Sequence, residues 1–410
     1  MPILLKEDYE YKLPVLHKVK QTFPRNTVDN ITEVVGNELR KPEITCKIKP
    51  GMRVAVAVGS RGIKNIFQIV KTVIEYLKAL GANPFIVSAM GSHGGGTPEG
   101  QKEVLAGYGI TEEKLMVPVI TTVDVVKLGE TEKGVCVYFD KTAYEADLVI
   151  PINRIKLHTD FVGPIQSGLC KMLVIGLGNH KGCSTIHEEN PEDFAYAILG
   201  AAKVILEKVN VGFGLAIMEN SYDETAYIEA IPSEIMIQRE KELCKNAKDN
   251  MPFIRLDEAD IIVVDEIGKN ISGAGFDPNI LGRSSVLSTY VLHIPEFQRM
   301  VLLDITEESH GNAIGVGAFD VITKKVFEKM DLESGYANAI ACKCTDDVKI
   351  PLIAKDEDEA IRVALKACRD IDRENARIIR IKNTLELEYI QVSDALLSEV
   401  DENPYLELIE

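Results

Sequence analysis

Arg53–Thr97 reads RVAVAVGSRGIKNIFQIVKTVIEYLKALGANPFIVSAMGSHGGGT. Arg53–Val58 is a short β-rich run, and Gly59–Gly62 is a turn. From Asn65 to Leu80, apolar residues fall at 66, 69, 70, 73, 74, 77 and 80, the rhythm of an amphipathic helix. Gly81 stands where a left-handed C-cap belongs. Pro84–Ala89 is the next strand. Strand, helix and strand form a βαβ unit, which needs a parallel sheet. The fold class is therefore α/β. The glycine turn Gly91–Thr97 follows the second strand at its carboxyl end, where open α/β sheets bind ligands, and His93 sits in it. Thr97 and Pro98 then open another helix as N-cap and first-turn residue.

The same grammar extends outward. Asp147–Ile152 (DLVIPI) is a buried-type strand, and Asn153–Asp160 is its carboxyl-end loop, carrying His158. Residues 165–175 read as a helix, because Ile165, Leu169, Met172, Leu173 and Gly176 fit one face. A helix over roughly 191–208 and a strand at Gly212–Met218 close a first domain. Residues 221–256 are charged and helical in flavour, a connector. A second α/β pattern starts at Asp260–Asp265 (DIIVVD), followed by a glycine-rich loop. It continues with strands near 299–304 and 377–382 and helices near 319–330 and 357–370. The expected architecture is two α/β domains with mainly parallel sheets, 1–220 and 257–410, joined by the connector 221–256, with the active site in the cleft between them. The acidic stretch from Asp394 on is expected to pack loosely.

The bulk properties narrow the function. A length of 410 residues supports two or three domains and a substantial core. A net charge of -17 argues against a nucleic-acid surface, which needs clustered Lys and Arg. Apolar runs are too short to span a bilayer, and no secretory leader is expected at the N-terminus. Eight cysteines without a C-x-x-C pair point to reduced thiols, hence a cytoplasmic protein.

Several side chains carry chemistry. Three of the seven histidines lie between Asn153 and His187, and His93 adds a fourth. Two histidines at strand ends can serve as general acid and base, since free imidazole titrates near ~6.5. Lys171 lies inside the apolar run Leu169–Ile175, where it either snorkels to water or is desolvated into a nucleophile. His180, Cys183 and His187 have the spacing of a partial zinc site, which leaves a zinc-dependent hydrolase as one alternative. Ser60 and Arg61 stand at a strand-to-helix turn suited to phosphate or carboxylate. Gly176, Gly178 and Gly182 miss the dinucleotide fingerprint, and neither a P-loop nor a G-x-S-x-G elbow is present.

Gly91-Ser-His-x3-Thr97, Lys156-Leu-His158, Ser167-Gly-Leu-Cys-Lys171 and Thr185-Ile-His187 together resemble the nickel-dependent lactate racemase superfamily. The similarity covers about 50–190 and continues into the second domain through Gly268–Asn279 (GKNISGAGFDPN). The resemblance implies a racemase or epimerase of 2-hydroxy acids, acting by proton-coupled hydride transfer to a nickel-pincer nucleotide. It implies His93 and His158 as the acid/base pair, Lys171 as the cofactor tether and His187 as the nickel ligand. Ser60, Arg61, Thr97 and Gly168 would contact the cofactor, and Arg61, Asn279 and Arg283 the substrate. The implied partners are a small 2-hydroxy acid and the cofactor-biosynthesis proteins, with no nucleic acid or membrane; self-association stays open. The chain departs from the family in having Lys156-Leu before His158, about three extra residues before Lys171, and no tryptophan. These differences point to a larger or more polar hydroxy acid, such as a sugar acid. The other alternative is a non-catalytic nucleotide- or ligand-binding protein on the same fold.

Overall fold

The computed structural model describes residues 3–60, 62–190 and 192–409. The chain divides into two compact units. One runs from Arg25 to Met251; the other joins the residues up to Pro24 with those from Pro252 onward. The division therefore falls at 24/25 and 251/252 rather than at 220 and 257. The physical reason is strand pairing. β1 (Leu16–Gln21) lies antiparallel between two strands from the far end of the chain, which fixes the first residues to the C-terminal unit.

The unit Arg25–Met251 is built on a six-stranded sheet. Its parallel core is β2 (Arg53–Val58), β3 (Asn83–Ser88), β4 (Val119–Ile120), and, beyond the β5–β6 hairpin (Val125–Glu130 and Cys136–Asp140), β7 (Leu148–Arg154) and β8 (Phe213–Glu219). β9 (Thr225–Pro232) adds an antiparallel edge, and the order is β4-β3-β2-β7-β8-β9. The period-2 pattern of β2 explains how both faces are covered. Val54, Val56 and Val58 pack against Ile66, Ile69, Val70, Val73 and Leu77 of the helix Ile66–Ala79. The small Ala55 and Ala57 face the opposite core, with Ala195, Ile198, Ala201 and Ala202 of the helix Phe194–Lys208. Two-sided burial of this kind is the condition for a parallel sheet.

The other unit holds an eight-stranded sheet. β10 (Ile261–Ile267), β11 (Arg299–Ile305), β12 (Val321–Thr323), β13 (Leu352–Ala354) and β14 (Ile378–Ile381) are parallel. β15 (Tyr389–Ser393), β1 and β16 (Leu406–Leu408) complete it in antiparallel fashion.

Four local expectations change. Residues 165–175 are not one helix: Ser167 pairs with Lys156 in an antiparallel bridge, Gly168 is extended, and the helix starts only at Leu169 before passing into a π turn at Met172–Gly176. The stretch 221–256 is not a connector, because β9 occupies much of its first half and only Met236–Ala247 is α-helical. Residues 319–330 split into β12 and the short helix Lys324–Lys329. The acidic tail is packed, with Leu396, Val400 and Leu406 buried.

Candidate active site

The candidate residues gather where three neighbouring parallel strands end. His93 follows β3, Ser60 follows β2, and His158 follows β7. The Ser60 hydroxyl meets His93 Nδ1, and the Ser60 carbonyl accepts the Tyr108 hydroxyl at 2.6 Å. The His93 turn is shaped by Gly94, Gly95 and Gly96, whose φ values of 65°, 66° and 66° suit glycine. Thr97 is used as expected of an N-cap: its hydroxyl oxygen accepts the Gly100 N–H at 3.2 Å.

The loop after β7 is laced to the segment bearing Lys171. Lys156 and Ser167 exchange backbone hydrogen bonds at 3.1 and 3.2 Å. The His158 N–H donates to Gln166 Oε1 at 2.7 Å, and Asn153 Nδ2 donates to the Gly168 carbonyl at 2.7 Å. This lacing delivers Lys171 Nζ to His158 Nε2. The His158 ring stacks on buried Phe161, centroids 4.2 Å apart, and Lys171 Nζ lies 5.8 Å from the centre of the same ring. Phe161 in turn packs on Phe194 at 4.9 Å, and Phe194 meets His187 edge-on at 5.0 Å. An aromatic chain thus runs from His158 to His187.

His187 closes the helix Asn179–His187. Its Nδ1 lies 2.7 Å from the Cys183 carbonyl one turn back, so Nδ1 carries a proton and Nε2 is the nitrogen with a lone pair for a metal. The Cys183 thiol lies 3.5 Å from the same Nδ1 and 3.8 Å from the Ser92 hydroxyl, which ties this helix to the His93 turn. Burial pushes the Cys183 thiol up, but His187 and Ser92 outweigh it and leave the thiol below its ordinary value. Among the described residues, no group of three or more His, Cys, Asp or Glu side chains could hold a metal ion. His180, Cys183 and His187 therefore do not converge as a zinc site. His180 is exposed.

Behind Lys171 lies a residue the sequence reading passed over. Glu240, on the helix Met236–Ala247, is fully buried, and its Oε2 accepts the Cys170 N–H at 2.9 Å. Its Oε1 meets no hydrogen-bond donor among the described residues. Burial pushes its carboxyl up to about 7. The signal was available: Met236, Glu240, Leu243, Cys244 and Ala247 form one helical face, and glutamate is the polar member of that stripe. Phe161 and Phe194, by contrast, carry no mark in the sequence beyond being aromatic.

The remaining candidates lie elsewhere. Arg61 falls outside the described residues. Asn279 is 1% exposed in the C-terminal unit, and its amide donates to Asp277 at 3.0 Å. The Arg283 guanidinium donates to Asp320 at 2.6 Å and to the carbonyls of Ala318 and Gln298, and stacks over Phe297. These bonds anchor Asn279 and Arg283 within the C-terminal unit.

Residues 3–194 match the family model of the lactate racemase N-terminal domain. This stretch of the chain is similar to that domain. A solved structure of the lactate racemase apoprotein from Thermoanaerobacterium thermosaccharolyticum shares the fold with a TM-score of 0.55. The match is at 12% identity and covers 91% of this chain and 99% of that one. No curated protein matches the chain. Among the described residues, no helix is long and apolar enough to cross a membrane. The matched domain contains His93, His158, Lys171 and His187.

Proposed function

We propose that this chain is a cytoplasmic isomerase that inverts the stereocentre of a small 2-hydroxy acid. The observation that carries the reading is the meeting of Lys171 and His158 at the carboxyl end of β7, inside a lactate racemase-like domain. Inversion needs a group that takes the hydroxyl proton as the carbonyl forms and a group that gives a proton back to that oxygen once the carbonyl has presented its other face. His93 and His158 are assigned those parts, in that order.

The residues present also fit a nickel-pincer nucleotide. A metal carried by an organic ligand needs few protein donors, and the site supplies one directed imidazole, His187 Nε2, rather than a cluster. Lys171 would tether the nucleotide and His187 would ligate its nickel. When bound, this group would supply the hydride acceptor that makes a 2-keto acid accessible. The protein's own part is to hold the substrate hydroxyl near a histidine and to keep Lys171 and His187 in fixed relation through Phe161 and Phe194. Cofactor-synthesis proteins are the partners this reading requires, and a larger or more polar hydroxy acid is the proposed substrate.

The test is expression alongside nickel-pincer synthesis proteins, followed by metal analysis, intact mass and a panel of enantiopure 2-hydroxy acids. The expected result is about one nickel per chain, an adduct at Lys171, and racemisation that falls ~10²-fold or more in His158→Ala and in His93→Ala. A chain that carries neither nickel nor adduct under those conditions contradicts the reading.

A further inference from the structure

A count of protons around His158 leads beyond its role as acid or base. The backbone N–H of Asp160 donates to His158 Nδ1 at 3.0 Å. A nitrogen that accepts a hydrogen bond carries no proton, so the neutral imidazole must bear its proton on Nε2. The partner of Nε2 is Lys171 Nζ. An ammonium has three donors and no lone pair, so it cannot accept the Nε2–H. Only an uncharged amine completes this arrangement.

The surroundings support the uncharged form. Lys171 is half-buried, Phe161 is 3% exposed, and the ring of Phe161 flanks both His158 and the lysine nitrogen. Removal from water disfavours the ammonium. Asp160 Oδ2 lies 4.0 Å from His158 Nδ1, on the side of the ring away from Nε2. The lacing of the 153–158 loop to Gln166, Ser167 and Gly168 holds the pair together before any ligand arrives.

We infer that His158 holds Lys171 as a neutral, nucleophilic amine, and that this lysine forms imines with 2-keto acids in the cofactor-free chain. The inference uses the same site as the proposed function but does not depend on a cofactor. In the step, the His158 Nε2–H releases the Nζ lone pair, which attacks the keto carbon, and the carbonyl oxygen takes up a proton from solvent. The resulting carbinolamine loses water to give a protonated C=N bond. No oxidant or reductant is consumed. The same free amine is what any covalent attachment at Lys171 would need.

The test uses the full-length, cofactor-free chain at neutral pH with pyruvate and cyanoborohydride, which reduces an imine to a stable secondary amine. Peptide mapping is expected to place the adduct at Lys171, formed ~10-fold or more faster than at surface lysines. His158→Ala is expected to slow it ~10-fold, and Lys171→Arg to abolish it. Labelling of Lys171 at the rate of surface lysines, or an unchanged rate in a folded His158→Ala variant, overturns the inference. A direct measurement guards against a variant that fails to fold. The 15N spectrum of His158 in the parent chain should show an unprotonated Nδ1 and a protonated Nε2. A doubly protonated ring, or a proton on Nδ1, overturns it even if the chain proves to be a racemase. Correct labelling without racemisation would instead count against the proposed function alone.

Discussion

At the scale of single residues, Glu240 makes the most specific statement about stability. It is fully buried, and burial pushes its carboxyl from an ordinary 4.5 up to about 7. The sign follows from linkage. Below the ordinary value, both folded and unfolded chains hold the proton and there is no penalty. As pH rises towards 7, the unfolded chain ionises while the folded one does not, so stability is lost across that window. Above about 7 the loss is complete, amounting to about 3 kcal/mol for a shift of this size. Glu240→Gln keeps an oxygen for the Cys170 N–H and cannot ionise. Denaturant unfolding should show the variant gaining on the parent from pH 5 to pH 8. A difference between the two proteins that does not change with pH would show that Glu240 does not titrate in this range.

At the scale of elements, the same carboxylate explains why the segment before Lys171 contains glycine. A Cβ on Gly168 would lie 2.4 Å from Glu240 Oε1 and 2.7 Å from its carboxyl carbon. Neither the buried glutamate nor the segment, pinned by Asn153 and by the Lys156–Ser167 bridge, has room to retreat. Gly168→Ala should therefore cost about 1–3 kcal/mol in chemical denaturation, as overpacking does. Combining it with Glu240→Asp, which draws the carboxylate back, should recover part of that loss as a coupling energy. Strict additivity of the two substitutions would place the origin of the glycine elsewhere.

This element also marks how far the sequence could be read. The strands β2, β3 and β7 and the helix between β2 and β3 were legible, because alternation and the 3.6-residue rhythm are local signals. The break at Gly168 was not. It depends on Lys156 and on Glu240, which lie 12 and 72 residues away in the chain. β9 was missed for a different reason. The charged run 238–249 drew the whole of 221–256 into a helix, although Asn220–Glu224 is a turn that returns the chain antiparallel to β8. In the site, the histidines and Lys171 stood out by residue type, whereas the contact between His158 and Lys171 depends on the lacing of two loops.

At the scale of the whole molecule, the chain begins and ends in one unit. β1 is held on one side by β15 and on the other by β16, with Gln21 opposite Leu406 and Val19 opposite Leu408. Gln21 is itself fully buried, donating to the Leu387 carbonyl at 2.7 Å and accepting the Arg255 N–H at 2.9 Å. Composition suggested that the acidic tail would be loose, but its apolar residues Leu396, Val400 and Leu406 fall on the inner side and join the core under the sheet. Ending the chain after Ser393 would remove these three side chains and bare the β1 edge. At about 1.5–3 kcal/mol for each buried aliphatic group, the loss is roughly 5 kcal/mol or more, a large share of what holds a domain folded. An exposed edge strand is also a template for association. The shortened chain should unfold at a markedly lower urea concentration and should aggregate in light scattering where the parent does not. Val400→Asp, which leaves the edge covered and charges the core, should reproduce the loss of stability without the aggregation, because stability here comes from burial and solubility from the paired edge.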